Sequence, residues 1–315
     1  MMVVGEGTQW GRLPQGPVRM IESAELRAWV IFEDERLLVI NKPGDVVCHP
    51  SKAGPWSSLV GAIREEFGLA MAHLIFRLDR ETSGVVVFAK DAATAGRLQK
   101  AMQRRRVKKS YLAILTGALR EAVTVDQPLG DDEAGPVFVK SMVRPDGQAA
   151  VTRFEPLALS DGFTLARVAL ETGRKHQIRV HAQWLGHSVV GDKIYGPDAR
   201  LFLEFIATGW TPALAEKLLL SRQALHCAEI DLQPALSPSN PPALSRIDKL
   251  EAPSQSRGVS NPPNGSNGLA AEPPALSLSN GQVFRAPLPA DLAEFCAKHA
   301  LNIQYPTSNT QRPTA

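Results

Sequence analysis

Two runs in this chain are apolar at every position, without the alternation that a strand with one solvent-exposed face would show. Residues 85–89 read VVVFA, and residues 111–115 read YLAIL. β-Branched and aromatic residues favour strands, and a strand that is apolar on both sides must be covered on both faces. The two runs therefore predict interior strands of a sheet, and Gly84 in front of the first predicts a turn or a close approach of two backbones.

Other elements can be placed around these strands. The sequence predicts further strands at residues 37–40, where an Asn-Lys-Pro-Gly turn follows, and at residues 163–170. Apolar residues at helical spacing predict helices within residues 57–68, 92–106, 176–186 and 284–300. This order of elements predicts an α+β fold, a sheet with helices on its flanks.

The composition changes over residues 233–281. This segment has no aromatic residue, is dominated by Pro, Ser, Asn and Gly, and repeats the tetrapeptide PALS three times. Such a composition buries too little apolar surface to offset the entropy of ordering, so we interpret the segment as a disordered insertion. Its flanks, residues 226–232 and 283–289, are expected to pair as neighbouring strands.

The bulk properties are those of a globular protein, since 315 residues with 44% hydrophobic content can bury a substantial core. Three widely spaced cysteines, an odd number, argue against a disulfide framework and favour a reducing compartment. No apolar run approaches the ~18 residues of a membrane span, and the N-terminus lacks the pattern of a signal peptide. We therefore expect a cytoplasmic protein without membrane association.

A basic stretch occupies residues 97–109. Seven of its thirteen residues are Lys or Arg and none is acidic; they are Arg97, Lys100, Arg104, Arg105, Arg106, Lys108 and Lys109. A solvated helix face usually interleaves Glu with Lys, so the lack of acids favours binding of an external polyanion, above all nucleic acid. A merely soluble basic face is the alternative.

A second group of cations, Arg174, Lys175 and His176, falls at the predicted first turn of a helix. The helix dipole already places partial positive charge there, so this arrangement favours a bound anion, either a phosphate or a carboxylate. Arg179 lies one turn further on and can face the same anion. Asp79 is the candidate for an anion within the protein.

Two other chemistries deserve comparison. His176, His181 and His187 lie close in sequence, but residues five apart on a helix point in different directions, so we expect hydrogen-bonding histidines and no metal site. Asp79 and Glu81 could form the carboxylate pair of a glycoside hydrolase. The turn that follows them disturbs the regular strand that would orient both side chains alike.

Four stretches carry the strongest signal for function. They are LLVINKPGDVVCHP (37–50), RLDRETSG (77–84), KKSYLAILTG (108–117) and ETGRKHQIRVHAQWLGHSVVGDKIYG (171–196). In this order they resemble the opening strand and the three motifs of the RluA family of RNA pseudouridine synthases. The resemblance covers about residues 33–231 and resumes at Phe284.

The resemblance implies the pseudouridine synthase fold, with a mixed, mostly antiparallel central sheet and with helices and loops around a catalytic cleft. The catalytic domain would comprise residues 21–232 and 282–303, interrupted by residues 233–281, with flexible tails at residues 1–20 and 304–315. The family converts uridine within RNA to its carbon-linked isomer and requires no cofactor or metal. The implied partner is ribosomal or transfer RNA, bound by a monomer.

By resemblance, three residues carry the chemistry. Asp79 takes the place of the essential aspartate, which acts as a nucleophile or as a base toward the sugar, and both roles stay open. Tyr111 matches the tyrosine that stacks on the target base and is implicated in removing the carbon-5 proton, and Arg179 matches the basic residue that pairs with the aspartate. The residues expected to bind substrate are Arg77, Arg104, Arg105, Lys109, Arg174, His176 and Ile178.

The chain departs from the family at Phe76, where many members have a histidine before the residue matched by Arg77. This difference concerns how the nucleotide is flipped out of its stack, a step that costs a few kcal/mol. The alternative function is a non-catalytic RNA-binding or ribosome-assembly protein on the same fold. The presence of Asp79, Tyr111 and Arg179 together favours the enzyme.

Replacing Arg104, Arg105 and Arg106 together with alanine is expected to weaken RNA binding. The slope of log affinity against log salt should flatten by about one unit for each lost phosphate contact. The chemical step at saturating RNA should change little. Affinities for a labelled RNA at several salt concentrations test this, and an unchanged affinity and slope would identify the basic stretch as a solvated face.

Overall fold

The computed structural model describes residues 19–49, 53–160, 162–232 and 282–302. The predicted disordered insertion, residues 233–281, lies outside the described residues, as do residues 304–315 and nearly all of the predicted N-terminal tail. The domain limits given above remain predictions.

The strands are β1 (Val30–Glu33), β2 (Leu37–Lys42), β3 (His73–Leu74), β4 (Ser83–Ala89), β5 (Lys108–Thr116), β6 (Val123–Asp126), β7 (Leu129–Asp131), β8 (Ser141–Val143), β9 (Val151–Ser160), β10 (Phe163–Leu170), β11 (Leu225–Asp231) and β12 (Val283–Arg285). The helices are α1 (Ser23–Ala28), α2 (Leu59–Glu66), α3 (Ala92–Gln103), α4 (Gln177–Trp184), α5 (Arg200–Thr208), α6 (Pro212–Leu218) and α7 (Ala290–Lys298), with a short 3₁₀ helix at Pro55–Ser57. Among these described helices, none is both long enough and apolar enough to cross a bilayer.

Ten of the described strands form one sheet. Its order is β1-β2-β4-β11-β5-β10-β9-β6, with β3 also paired to β4 and β12 also paired to β11, while β7 and β8 form a separate hairpin. Within the described chain, β4 and β11 are the one parallel pair, and the other pairs are antiparallel. This confirms the mixed, mostly antiparallel sheet of an α+β fold.

Both fully apolar runs are interior strands, as predicted. β4 lies between β2 and β11, and β5 lies between β11 and β10. All seven residues of β4 are buried, and so are residues 111–115 of β5. The side chains of these strands lie in the main hydrophobic core, which α2, α3 and α7 also enter.

Gly84 makes the close backbone approach that its position in the sequence predicts. Its φ is +112°, and a Cβ built on it would lie 2.2 Å from the carbonyl oxygen of Cys227. Any other residue would clash with the neighbouring backbone and would be strained at this φ. Gly84 therefore sets the contact between β4 and β11, where it stands opposite Cys227 in the parallel register.

The predicted ends of two other elements can be compared with the structure. β10 spans the predicted residues, Phe163–Leu170. β2 runs two residues beyond its predicted end, because Asn41 and Lys42 pair with Val85 and Gly84 and so continue the ladder with β4. The sequence did not predict the helical pair α5 and α6, which builds a small apolar cluster of its own around Leu201, Leu214 and Leu218.

The two flanks of the 233–281 segment pair as neighbouring antiparallel strands, as predicted. β11 and β12 align Glu229 with Arg285 and Asp231 with Val283. The backbone N–H of Leu232 also donates to the carbonyl of Gln282 at 3.0 Å. The chain therefore leaves and re-enters the described fold at adjacent positions.

Deleting residues 233–281 and joining Leu232 to Gln282 through a short glycine-containing turn is expected to preserve folding and RNA modification. Adjacent strand ends need only a tight connection. Shortening the loop lowers the entropic cost of closing it by about 2 kcal/mol at most, which favours the folded state. Chemical denaturation and an RNA modification assay on both proteins test this. A deletion variant that unfolds would mean that the segment makes stabilising contacts.

Candidate active site

Asp79 lies half-buried in the loop between β3 and β4. The carbonyl of Asp79 accepts a hydrogen bond from the Thr82 N–H at 3.2 Å, which closes a turn. Lys42, whose side chain is buried at the end of β2, donates from Nζ to the carbonyl of Arg80 at 2.9 Å. The loop that carries Asp79 is thus closed by a turn and tied to the end of β2 at the residue after the carboxylate.

Arg179 links this loop to α4. Its Nη1 donates to Asp79 Oδ2 at 2.9 Å, and its Nε and Nη2 donate to the two oxygens of Asp192 at 2.6 and 2.9 Å. Asp192 is fully buried, and its Oδ1 also accepts hydrogen bonds from the backbone N–H groups of Ile194 and Tyr195. Asp192 therefore fixes the guanidinium in the orientation in which its free edge meets Asp79.

Asp79 is ionised at neutral pH in this arrangement. Burial alone would raise the pKa of its carboxyl, but the charge of Arg179 and the hydrogen bond from it outweigh burial and lower the pKa below its usual range. The pKa of Asp192 is lowered in the same way against the same opposing effect of burial. Burial alone would lower the pKa of the Arg179 guanidinium, but its two carboxylate partners, Asp192 and Asp79, raise this pKa above the usual value.

His176 stands next to the ion pair as a neutral imidazole. Burial and the neighbouring charge of Arg179 lower its pKa to about 4. The hydroxyl of Tyr195 accepts from the backbone N–H of Ser141 and lies 2.8 Å from His176 Nδ1, to which it can donate its own proton. In that arrangement Nε2 of His176 carries the ring proton, and this nitrogen lies 3.9 Å from Asp79 Oδ2.

Arg174, Lys175 and His176 were predicted to lie in the first turn of a helix, but they lie one to three residues before the helix begins. His176 adopts a left-handed conformation with φ of 56°, so α4 begins only at Gln177, and Arg174 and Lys175 lie in the turn before it. The buried Gln177 side chain holds this turn by accepting from the Thr172 hydroxyl and the Arg174 N–H. Arg179, inside the helix, carries the pairing with Asp79 that the sequence predicted.

Tyr111 lies in β5 opposite Cys227 of β11, and both side chains are buried. The pKa of the phenol is raised well above its usual value by burial, by the nearby Cys227 and by their hydrogen bond. Burial likewise raises the pKa of Cys227 to about 12. Tyr111 thus keeps its phenolic proton within the core, and it also lines the pocket at Asp79.

The pocket at Asp79 has a volume of about 80 Å³. Beside Asp79, it brings together six residues that the sequence singled out, Arg77, Tyr111, Arg174, His176, Ile178 and Arg179. Lys109 and Arg105 line a larger, adjoining cleft instead. Arg104 is the exposed residue directly after α3, and it does not line either cavity.

The side chains that suggested a hydrolase or a metal site make structural contacts. Glu81 binds Lys193 at 2.6 Å, whereas Asp79 binds a different cation, so the two carboxylates do not act as a pair. His181 bonds to a threonine hydroxyl and to a backbone carbonyl, and His187 bonds to another carbonyl, as expected for hydrogen-bonding histidines. Within the described ranges, no group of three or more potential ligands is arranged to hold a metal ion.

Sequence reasoning missed three residues that organise the site. Asp192 and Tyr195 lie within the fourth quoted stretch, where the charged pair Asp-Lys at 192–193 interrupts an apolar run, VVGDKIYG. Buried charges are rare unless they are paired, so that interruption was a usable signal. Lys42 was assigned to a turn, yet it is buried and its pKa falls to about 8 because of burial.

A carboxylate held ionised at the mouth of a mixed sheet, next to a buried tyrosine, agrees with the chemistry that the motifs imply. The profile of the family described as RNA pseudouridylate synthase matches residues 36–184, the part of the chain that contains Asp79, Tyr111 and Arg179. The chain is similar to RNA pseudouridylate synthases over this region, as its motifs predict.

Curated relatives show the same similarity. The uncharacterized RNA pseudouridine synthase YhcT of Bacillus subtilis is 34% identical over 208 residues, which cover 64% of this chain and 62% of the relative. Ribosomal large subunit pseudouridine synthase D of Vibrio parahaemolyticus is 35% identical over 210 residues, 65% of this chain and 62% of the relative. The matched region thus spans a little under two thirds of these relatives' length.

Solved structures with the same fold include two human proteins. Human RNA pseudouridylate synthase domain containing 1 has a TM-score of 0.52 and 26% identity, over 64% of this chain and 77% of its own. Human RNA pseudouridylate synthase domain containing 4 has a TM-score of 0.51 and 26% identity, over 66% of this chain and 85% of its own. The similarity extends over about two thirds of this chain rather than over one motif alone.

Asp192→Asn is expected to lower the free energy of unfolding by about 3–5 kcal/mol, because it removes one partner of a buried ion pair. Turnover should also fall, since Arg179 loses the contact that orients it. Asp198→Asn is the matched control, because Asp198 pairs with Arg200 at the surface and exposed ion pairs contribute little to stability. Urea denaturation and RNA modification assays test both variants, and equal effects would contradict the assigned role of Asp192.

Proposed function

We propose that this protein is an RNA pseudouridine synthase that isomerises specific uridines, with Asp79 as the catalytic carboxylate. The observation that carries the proposal is the Asp192–Arg179–Asp79 chain of ion pairs, which holds one ionised carboxylate at the mouth of the pocket. A protein that only binds RNA needs cations for the phosphates, but it has no need of a buried arrangement that keeps a carboxylate ionised.

The reaction would use Asp79 at the anomeric carbon of the ribose. The bond from that carbon to N1 of uracil breaks and leaves its electron pair on N1, the base turns, and carbon 5 bonds to the same sugar carbon. Carbon 5 then loses its proton and N1 takes one up, so the product is an isomer of the substrate. An ionised carboxylate can assist the first step as a nucleophile or as a base toward the sugar, and its lowered pKa keeps it available for either role. These steps need no electron acceptor, because the reaction is an isomerisation.

The neighbouring residues can be given roles in this scheme. Tyr111 keeps its proton at neutral pH, so it cannot act as a resting base, and we assign it first to stacking on the target base. Arg77 is exposed at the rim of the pocket, where its side chain can reach the flipped nucleotide or its phosphate. Neutral His176 adds no second positive charge that would compete with Arg179 for Asp79.

The substrate would be a structured RNA, with ribosomal and transfer RNA as the two classes to examine. Several similar proteins are named ribosomal large subunit pseudouridine synthase D, which makes large-subunit ribosomal RNA the first substrate to test. The exposed cations Arg104 and Arg105 are proposed to contact its backbone. We further propose that the protein acts as a monomer in the cytoplasm, where its three buried free cysteines would remain reduced.

Asp79→Asn is expected to abolish isomerisation and to leave RNA binding intact, because the amide keeps the shape but supplies neither a nucleophile nor a base. Arg179→Ala should be severely impaired, since it removes the cation that orients Asp79 and keeps it ionised. Asp198→Asn, at the surface, is the control. Pseudouridine in large-subunit ribosomal RNA and transfer RNA from cells that carry each variant or lack the gene can be mapped by mass spectrometry.

If the Asp79→Asn variant restores pseudouridine at the same positions as the wild type, Asp79 is not the catalytic group. If no position in either RNA class depends on the gene and the purified protein still binds RNA tightly, the non-catalytic RNA-binding function is favoured instead.

A further inference from the structure

A cleft of about 520 Å³ adjoins the pocket at Asp79 and is not needed for the chemistry assigned above. One wall is the connection from α3 to β5, and the other is the turn between β10 and α4. The cleft and the Asp79 pocket share Leu170 and Arg174 as lining residues. A chain bound at Asp79 can therefore continue into the cleft without leaving the surface.

The lining combines two kinds of surface. Met102, Val107, Ala169 and Leu170 provide apolar side chains, of which Val107 is buried. The cations at the cleft are Arg105, Lys108, Lys109 and Arg174, while Glu171 is the acid in the lining. An apolar surface rimmed by an excess of cations fits a ligand that has a flat base and a phosphate, which is the chemistry of a nucleotide.

Lys109 connects the cleft to the catalytic loop. It lies two residues before Tyr111 in β5, so both side chains project from the same face of the strand. Its Nζ lies 5.0 Å from the centroid of the Phe76 ring, and no carboxylate in the described part of the chain pairs with it. Burial lowers the pKa of this amine, so a phosphate bound nearby would restore the stability of its charged form.

The volumes indicate how much RNA each cavity can hold. The Asp79 pocket, at about 80 Å³, is small compared with the ~300–1,000 Å³ of ordinary ligand pockets, so it cannot hold two nucleotides. The neighbouring cleft, at about 520 Å³, falls within that range. Asp79 does not line the cleft, so a nucleotide bound there would not be the one that reacts.

We propose that this cleft is a second nucleotide site, which binds a nucleotide adjacent to the target uridine in the same RNA strand. The base lies against Met102 and Leu170, and the phosphate lies among Arg105, Lys108 and Lys109. The inference rests on the proposed function for the identity of the strand, and it adds a binding subsite next to the target uridine.

The test uses a substitution that fills the cleft without changing its charge. Gly173 is exposed, its φ is not in the left-handed region, and a Cβ there would meet only Lys109 Nζ, at 3.8 Å. Gly173→Leu therefore places an apolar side chain in the cleft and leaves the backbone unstrained. Gly96→Leu is the matched control, because a Cβ at Gly96 meets nothing within 4 Å and the residue lies in α3 outside the cleft lining.

The probe is a fluorescein-labelled oligouridylate of nine nucleotides. Its affinity for the wild-type protein and for each variant is measured by fluorescence anisotropy at several salt concentrations. Gly173→Leu is expected to weaken binding at least tenfold and to flatten the salt slope, because the phosphate of the excluded nucleotide loses its contacts with the cations of the cleft. Gly96→Leu should stay within twofold of the wild type. An affinity for Gly173→Leu within twofold of this control would overturn the proposal.

A second measurement does not depend on any variant being folded. The same oligonucleotide with one 4-thiouridine is photocrosslinked to the wild-type protein, and the crosslinked peptides are identified by mass spectrometry. The proposal expects crosslinks in residues 102–109 or 169–174, and crosslinks confined to other regions contradict it. Both measurements record binding alone, so the absence of pseudouridine formation would count against the proposed function and not against the cleft.

Discussion

The ion pair between Arg179 and the buried Asp192 is the interaction on which the site depends. A guanidinium that is almost completely buried is stable only when its hydrogen bonds and its charge are satisfied, and Asp192 supplies two contacts of 2.6 and 2.9 Å. The third contact, to Asp79, is then available without further cost in desolvating the cation. The carboxylate of Asp79 is thus positioned by the guanidinium of Arg179, whose charge Asp192 already stabilises within the core.

The sheet supplies the frame for this arrangement. Asp79 precedes β4, Tyr111 lies in β5, and β11 separates the two strands with Cys227 in contact with both of them. Arg179 comes from α4, which follows β10 on the other side of β5. Asp79 and Arg179, which are a hundred positions apart in the chain, therefore meet at one edge of the sheet next to Tyr111. The order of the strands determines how far apart these three side chains lie.

Much of this could be predicted from the sequence. The apolar runs identified β4 and β5, and the position of Arg179 one turn beyond the neighbouring cations pointed to its pairing with Asp79. The start of α4 was misplaced because His176 takes a left-handed conformation that no periodicity reveals. Asp192 and the cleft at Gly173 were not predicted, since both depend on contacts between distant segments that a pattern along one segment does not contain.

Gly84 has a consequence for how this site could vary among related sequences. Its missing side chain is what allows the carbonyl of Cys227 to lie where a Cβ would otherwise stand, and Gly84 is five residues from Asp79. A residue with any side chain there would force β4 and β11 apart, and the strand that carries Cys227 also contacts Tyr111. The positions of the Asp79 loop and of Tyr111 are therefore coupled through the backbone of β11, and a side chain at position 84 would disturb both of them at once.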